Sequence, residues 1–391
     1  MITYSSAIEL IKGVQLERII IEVDIIHALN HVCAASVFSP INFPPFSQSA
    51  MDGYALGSLN NESSYKVKNI LKAGDSADLF FLQENEASRI FTGAMIPENT
   101  KAIVKQEDIT VSEDSIILNK PIKENENIRF LGEQTKAGSL VLKENTTINS
   151  GTIGFLAMLG VFKLKVFKKP SIAIIATGNE LVQKGEKLSA GKIYESNTYT
   201  LIAALNQFGF SADAFVVNDD KQKITELAKN KTDNYDLVLF TGGISVGDYD
   251  FVHEVLSALG VKEIFYKVRQ KPGKPIFFGQ HQNKLIFALP GNPAAVLTSF
   301  YVYVLEALAV LMGKNENQLH RRFLKLNENY TKSANLTCFL KGKCTLEEVQ
   351  ILRDQSSAML SSFVESDCLI VLPEGKNDFC KNELVEVILI K

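Results

Sequence analysis

Hydrophobic positions change their spacing several times along the chain. Over residues 3–36 isoleucine, leucine and valine recur at helical intervals, with Ser5 or Ser6 placed to cap the start, so a helical N-terminal piece is expected. From about residue 40 to 150 the pattern shortens to runs such as Tyr65-Lys66-Val67, Ala102-Ile103-Val104 and Ser115-Ile116-Ile117-Leu118. Turn residues separate them, which predicts a β-rich unit. Residues 151–160 read as a short apolar helix, and 161–167 alternate as a strand leading to Pro170, a junction signal.

From Ser171 strands and helices alternate. Ser171-Ile172-Ala173-Ile174-Ile175-Ala176 is an apolar strand, a helix is expected over 196–208, and strands follow at 214–217 and 235–240 with a helix near 221–229 between them. Parallel strands need such crossovers, so this part predicts a doubly wound α/β domain. Short strands and turns return after Met312 and predict a small C-terminal β-domain. The expected organisation is therefore multidomain α/β plus β: a helical and linker N-terminal domain (1–38 and 128–169), an inserted β-rich domain (39–127), the α/β domain (170–313) and the C-terminal β-domain (314–391).

Composition narrows the function classes. The 391 residues are 46% hydrophobic and 22% charged, as in soluble globular chains, and a formal charge of −3 argues against a general nucleic-acid binder. The N-terminus shows no basic segment followed by an apolar run, and the longest apolar stretch, 292–313, is interrupted by Glu306, so it reads as a buried helix. A cytoplasmic protein with no membrane partner is expected. Five scattered cysteines form no Cys-x-x-Cys pair and read as reduced packing residues, while His27 and His31, four apart on the expected helix, read as ordinary helix residues.

Three loops carry chemistry. Pro44-Pro45 leads rigidly into Ser49-Ala50-Met51-Asp52-Gly53-Tyr54-Ala55, where Gly53 is expected to turn and Asp52 either faces a ligand or caps its own turn. The strand ending at Phe240 runs into Thr241-Gly242-Gly243-Ile244-Ser245-Val246-Gly247-Asp248-Tyr249-Asp250, just before a helix start near Phe251. Three glycines let the backbone approach a ligand and the helix start offers N–H donors to an anion, although glycines at such turns also serve packing alone. Lys271-Pro272-Gly273-Lys274-Pro275 holds two lysines around a rigid turn that either suits a polyanion or is a plain surface turn, and Pro290-Gly291-Asn292-Pro293 is a helix start with Asn292 as cap. Glu180, Asp219, Asp220 and Asp250 follow strand ends, where carboxylates either hold Mg2+ beside a phosphate or cap helices.

Taken in order, these motifs, with Arg89-Ile90-Phe91-Thr92-Gly93-Ala94, Asn127-Ile128-Arg129 and Thr177-Gly178-Asn179-Glu180-Leu181, resemble the molybdopterin molybdenumtransferase family of the MoeA type over essentially the whole chain. The resemblance implies a molybdopterin-binding α/β domain and insertion of molybdate into adenylyl-molybdopterin, with Mg2+ assisting and AMP released. It implies Asp52, Asp250, Lys271 and Lys274 as catalytic residues. Substrate contacts are implied for Thr92, Arg129, Thr177, Gly178, Glu180, Gly242, Gly243, Ser245, Gly247, Asp248, Pro290, Asn292 and Arg353, and metal contacts for Glu180, Asp219 and Asp250. It further implies a homodimer with the active site between subunits, and leaves open whether a molybdopterin adenylyltransferase docks.

The chain departs from the family pattern at Ser47-Gln48, at Gln134 and at Gln355-Ser356-Ser357, which lacks the glycine often found between glutamine and serine and so weakens the transfer of a role to Arg353. Two rival readings share the α/β module: a nucleotide pyrophosphatase of the competence-damage type, which would not need the Asp52 loop, and a non-catalytic molybdopterin-binding scaffold, which would not need the lysines.

Overall fold

The computed structural model describes residues 1–60, 64–76, 81–244, 251–314 and 319–390. They form two compact units, one of residues 22–29 and 33–165, the other of residues 1–21, 30–32 and 166–391.

The first unit is built on a six-stranded sheet in the order Ala102–Lys105, Gly53–Leu56, Glu86–Ile90, Ser64–Leu71, Ser115–Leu118, Ile109–Ser112. Because successive side chains point to opposite faces, Ala55 and Ile90 enter one apolar cluster while Leu56 and Ala87 enter another, and the sheet is covered on both sides. Gly53 was expected in a turn, but it lies in a strand between two neighbours. Its requirement is steric: a Cβ there would stand 1.9 Å from the Val104 carbonyl oxygen. The apolar helix foreseen near 151–160 is Ser150–Met158, started by Asn149, whose Oδ1 accepts from Thr152 N–H at 2.8 Å.

The N-terminal helix is shorter than its apolar spacing predicts. It spans Tyr4–Lys12 and is capped by Thr3, not by Ser5 or Ser6, with Thr3 Oγ1 accepting from Ser6 N–H at 3.0 Å. Gly13 closes it, and the β-branched Ile20, Ile21 and Val23 then form the strand Ile20–Asp24, since branching at Cβ suits extended backbone better than a helix. His27 ends a 3-10 turn and His31 lies beyond it, 3.1 Å from the Phe167 carbonyl through Nδ1. The helical pairing of these histidines does not occur.

In the second unit a six-stranded sheet runs Asp213–Val217, Ile172–Thr177, Leu237–Thr241, Lys284–Leu289, Phe277–His281, Lys262–Tyr266. The first four strands are parallel, Phe277–His281 runs against them, and Lys262–Tyr266 is antiparallel to Phe277–His281. Ile172–Thr177 and Leu237–Thr241 are buried throughout, as expected for strands covered on both faces. Helices Asn197–Gln207, Lys221–Asn234 and Val252–Ala258 make the crossovers. The long apolar stretch is the helix Pro293–Met312, with a π turn at Phe300–Val304. It is almost wholly buried in protein, Glu306 included.

The C-terminal strands Thr337–Cys344, Glu348–Ile351, Arg321–Leu326, Leu384–Leu389 and Cys368–Leu372 close on themselves, because the first also pairs with the last. The resulting small barrel encloses Leu326, Val349, Ile370 and Val387. One further strand, Gln270–Lys271, comes from the α/β part and pairs in parallel with Thr337–Cys344 through Gln270↔Thr337 and Lys271↔Cys338. That pairing anchors the lysine-bearing turn against the barrel.

Candidate functional site

The chain leaves Ile172–Thr177 toward Asp213–Val217 on one side and later reaches Leu237–Thr241 on the other, so the strand order reverses at Ile172–Thr177. Crevices at such reversals, outside the carboxyl ends of the strands, are where open α/β sheets bind ligands. A cleft of about 650 Å³ lies there, with Thr177, Gly178, Glu180, Asp219, Gly242 and Gly243 among its lining residues.

Glycines shape this cleft by what they lack. Gly242 and Gly243 have φ of +87° and +62°, and a Cβ on Gly242 would stand 2.6 Å from the Thr177 carbonyl oxygen. The two strand ends therefore approach more closely than any side chain allows. Gly178 does the same for an acid: its missing Cβ leaves the space within 2.7 Å of which the Glu180 carboxylate sits.

The carboxylates divide their work. Asp220 caps helix Lys221–Asn234 by accepting from Gln222 and Lys223 N–H at 3.0 and 3.2 Å, and these bonds hold its carboxyl below the usual range. Asp219, for which capping was an alternative, instead exchanges reciprocal bonds with Asn179, each 3.1 Å, and lines the cleft. Two buried oxygens on the same wall, Thr177 Oγ1 and Asn197 Oδ1, have no partner among the described residues. Both are placed to accept a bond from a polar group in the cleft.

A second cleft of about 750 Å³ adjoins the first, sharing Pro275, Pro290 and Asn292 with it. Its walls include Lys271 and Lys274 from the rigid turn and Lys332 and Ser356 from the barrel. Lys271 and Lys274 are exposed, whereas Lys332 is nearly buried and spends its ammonium on the Ser333 and Leu336 carbonyls.

The turn bearing the lysines is held from below by residues with no signal in the sequence. Gln270 is 1% exposed, and its Nε2 donates to the carbonyls of both Pro272 and Gly273 at 3.0 Å. Tyr303 donates its hydroxyl to Gln270 Oε1 from the long helix. Burial raises the Tyr303 phenol well above its ordinary pKa, so it keeps its proton, donates, and thereby fixes which end of the amide faces the turn. With both carbonyls drawn inward, the turn offers its ammonium groups to the cleft.

A second support comes from the barrel. Lys341 is 3% exposed and donates Nζ to the carbonyls of Asp354, Ser356 and Met359, while Gln355 bonds the Lys341 backbone at both N–H and carbonyl. Burial lowers the Lys341 pKa. This loop presents Ser357, whose carbonyl accepts from Ala294 and Ala295 N–H at 3.0 and 3.2 Å. Asn292 stands at the cap position of that helix but does not cap it; its Nδ2 donates to Ser357 Oγ at 2.9 Å. Arg353, in the same loop, is exposed and is absent from the lining of either cleft.

Asp52 and Thr92 belong to the other unit. Asp52 does not cap its own turn: its Oδ1 accepts from Thr92 N–H and Thr92 Oγ1, each at 2.8 Å. Those two bonds, with Arg89 nearby, hold the Asp52 carboxyl below its ordinary value. Arg129 is exposed on the strand Ile128–Arg129, which pairs with Gln48–Ser49 in the same unit. Ser245, Gly247, Asp248 and Asp250 lie outside the described residues.

Comparison with known proteins agrees with this architecture along the whole chain. Residues 2–160 match the family model described as the MoeA N-terminal region (domain I and II), 173–310 a probable molybdopterin binding domain, and 324–390 the MoeA C-terminal region (domain IV). A molybdopterin molybdenumtransferase of Staphylococcus aureus is 33% identical over 402 residues, covering 99% of this chain and 95% of that protein. The Staphylococcus epidermidis protein of the same name is 32% identical over 400 residues with the same coverage. Two crystal structures of the molybdopterin biosynthesis MoeA protein of Pyrococcus horikoshii superimpose at a TM-score of 0.84 with 29% and 26% identity, covering all of this chain and 99% and 100% of those chains. With its three matched regions in sequence order and a third of its residues shared along its full length, the chain belongs to the molybdopterin molybdenumtransferase family of molybdenum cofactor biosynthesis.

Proposed function

We propose that this chain, in the cytoplasm, inserts molybdate into adenylyl-molybdopterin and releases AMP, with the nucleotide-bearing substrate in the first cleft and molybdate at the lysines of the second. The observation that carries the division is that two clefts of opposite chemistry share one wall, Pro275, Pro290 and Asn292. One presents Glu180, Asp219 and the Thr177 hydroxyl, which has no partner among the described residues; the other presents Lys271 and Lys274.

Cleaving a phosphoanhydride needs its developing negative charge stabilised by fixed donors and cations, and no protein nucleophile is required. Lys271 and Lys274 supply positive charge to a tetrahedral dianion, held in place by Gln270 and Tyr303. Glu180, Asp219 and Thr177 form an all-oxygen donor set that fits Mg2+, and Asp250 joins them in the proposal. When bound, the metal supplies charge neutralisation at the phosphate oxygens. Gly242, Gly243, Gly178 and Asn197 shape the wall against which the substrate lies. The homodimer implied by the family resemblance, in which Asp52 and Thr92 of one copy act at the clefts of the other, completes the proposal.

The test is AMP release by the purified chain from adenylyl-molybdopterin, with and without molybdate and with and without Mg2+. Release that depends on both supports the transferase. Release without molybdate would point to a pyrophosphatase, and no release from a folded protein would point to a scaffold.

A further inference from the structure

Away from both clefts, the barrel brings together Cys344, Asp367 and Cys368, with the two sulfurs and a carboxylate oxygen all within 4.8 Å of one another. We propose that these three side chains form a binding site for a thiophilic divalent cation of the zinc class, with three protein donors and water as the fourth.

The geometry follows from strand register. Gly342 on Thr337–Cys344 is the direct partner of Cys368 on Cys368–Leu372, so Cys344, two residues on, is its diagonal neighbour on the same face. Gly342 makes room for the second sulfur: a Cβ on it would lie 2.9 Å from Cys368 Sγ. Diagonal neighbours in antiparallel strands stand about 7–8 Å apart at Cα. Both thiols are free, and their sulfurs already lie within hydrogen-bonding reach of each other. Two sulfurs bound to one tetrahedral zinc lie ~3.8 Å apart, inside the 4.8 Å within which these three donor atoms stand.

The third donor is already aimed. Asp367 Oδ1 accepts from Cys344 N–H at 2.8 Å, and its backbone is tied on both sides, by N–H to Gly342 O at 3.1 Å and by its carbonyl from Ile390 N–H at 2.9 Å. A ligand fixed by its neighbours in this way costs little reorganisation on binding. Cys368 is fully buried while Cys344 and Asp367 are half-exposed, so an ion can enter from solvent and still rest against the barrel core. Two thiolates and one carboxylate favour zinc-like ions over Mg2+.

The experiment is a Co2+ titration of the reduced full chain, followed by thiolate-to-cobalt charge-transfer absorption. The expected result is absorption that saturates at one ion per chain, is bleached by Zn2+, is lost in Cys344→Ser and in Cys368→Ser, and is unchanged in Cys380→Ser, whose thiol is exposed and not among the three clustered donors. An oxygen-ligated metal at the carboxylate cleft gives no such band, so the two sites are read separately. No charge-transfer band in the wild-type chain with Co2+ in excess, or a band that persists at full amplitude in Cys344→Ser, overturns the proposal.

Discussion

Replacing Gln270 by leucine tests how the lysine turn is held. The side chain is buried and makes three bonds, two as donor to the Pro272 and Gly273 carbonyls and one as acceptor from Tyr303. Leucine fills similar space but leaves two carbonyls and a phenol unpaired. At about 1 kcal/mol for each lost bond, Gln270→Leu should cost about 3 kcal/mol. Tyr303→Phe, which spares the donor bonds, should cost about 1 kcal/mol. Gln270→Glu keeps the shape but puts acceptor oxygens against acceptor carbonyls, so it should be no better than leucine at neutral pH. Urea unfolding measures these differences. Molybdate titration of AMP release measures the functional share, where each 1.4 kcal/mol lost from the anion-holding form of the turn raises the molybdate requirement about tenfold. A Gln270→Leu protein that unfolds within about 0.5 kcal/mol of wild type, with an unchanged molybdate response, would refute the reasoning.

Further predictions rest on single contacts. Lys341→Met removes one ammonium from three carbonyls and should cost about 2 kcal/mol or more, with new protease cleavage in the loop around Arg353 to Met359; equal resistance to wild type would contradict the clamp. Gly53→Ala forces a Cβ to within 1.9 Å of the Val104 carbonyl and should cost more than about 3 kcal/mol, seen as loss of soluble protein or of the thermal transition of that unit. Thr92→Val deletes the hydroxyl but keeps the N–H, so the Asp52 carboxyl should titrate nearer its ordinary value by NMR. The sign is set by a depressed folded-state pKa: the stabilisation from the Asp52–Thr92 contact is fully present above the ordinary carboxylate value and is lost as pH falls through the lowered folded-state value.

Much of this arrangement was legible before any coordinates. The α/β strands and helices announced themselves because buried parallel strands are continuously apolar and their crossovers have helical period, and the helix expected at 196–208 is Asn197–Gln207. The N-terminal expectation failed where apolar spacing suited both states: Ile20, Ile21 and Val23 occur at helix-compatible positions, but their branching and the preceding Gly13 favoured a strand. Gly53 was misread because a glycine spared for a backbone contact looks identical in sequence to one spared for a turn. The loops bearing Glu180, Gly242 and Lys271 were visible as punctuation after strands. Their supports were not, since Gln270 meets Tyr303 33 residues away, and Lys341 meets a loop that only the closure of the barrel brings beside it.

The central claim is that the lysine turn holds molybdate next to a nucleotide-bearing substrate in the adjoining cleft. Its most direct test is a molybdate titration of AMP release from adenylyl-molybdopterin, comparing wild type with a Lys271→Ala/Lys274→Ala double variant whose binding of adenylyl-molybdopterin is measured in parallel. The account predicts that the double variant still binds adenylyl-molybdopterin and loses the response to molybdate. Molybdate-dependent release at the wild-type concentration and rate would contradict it.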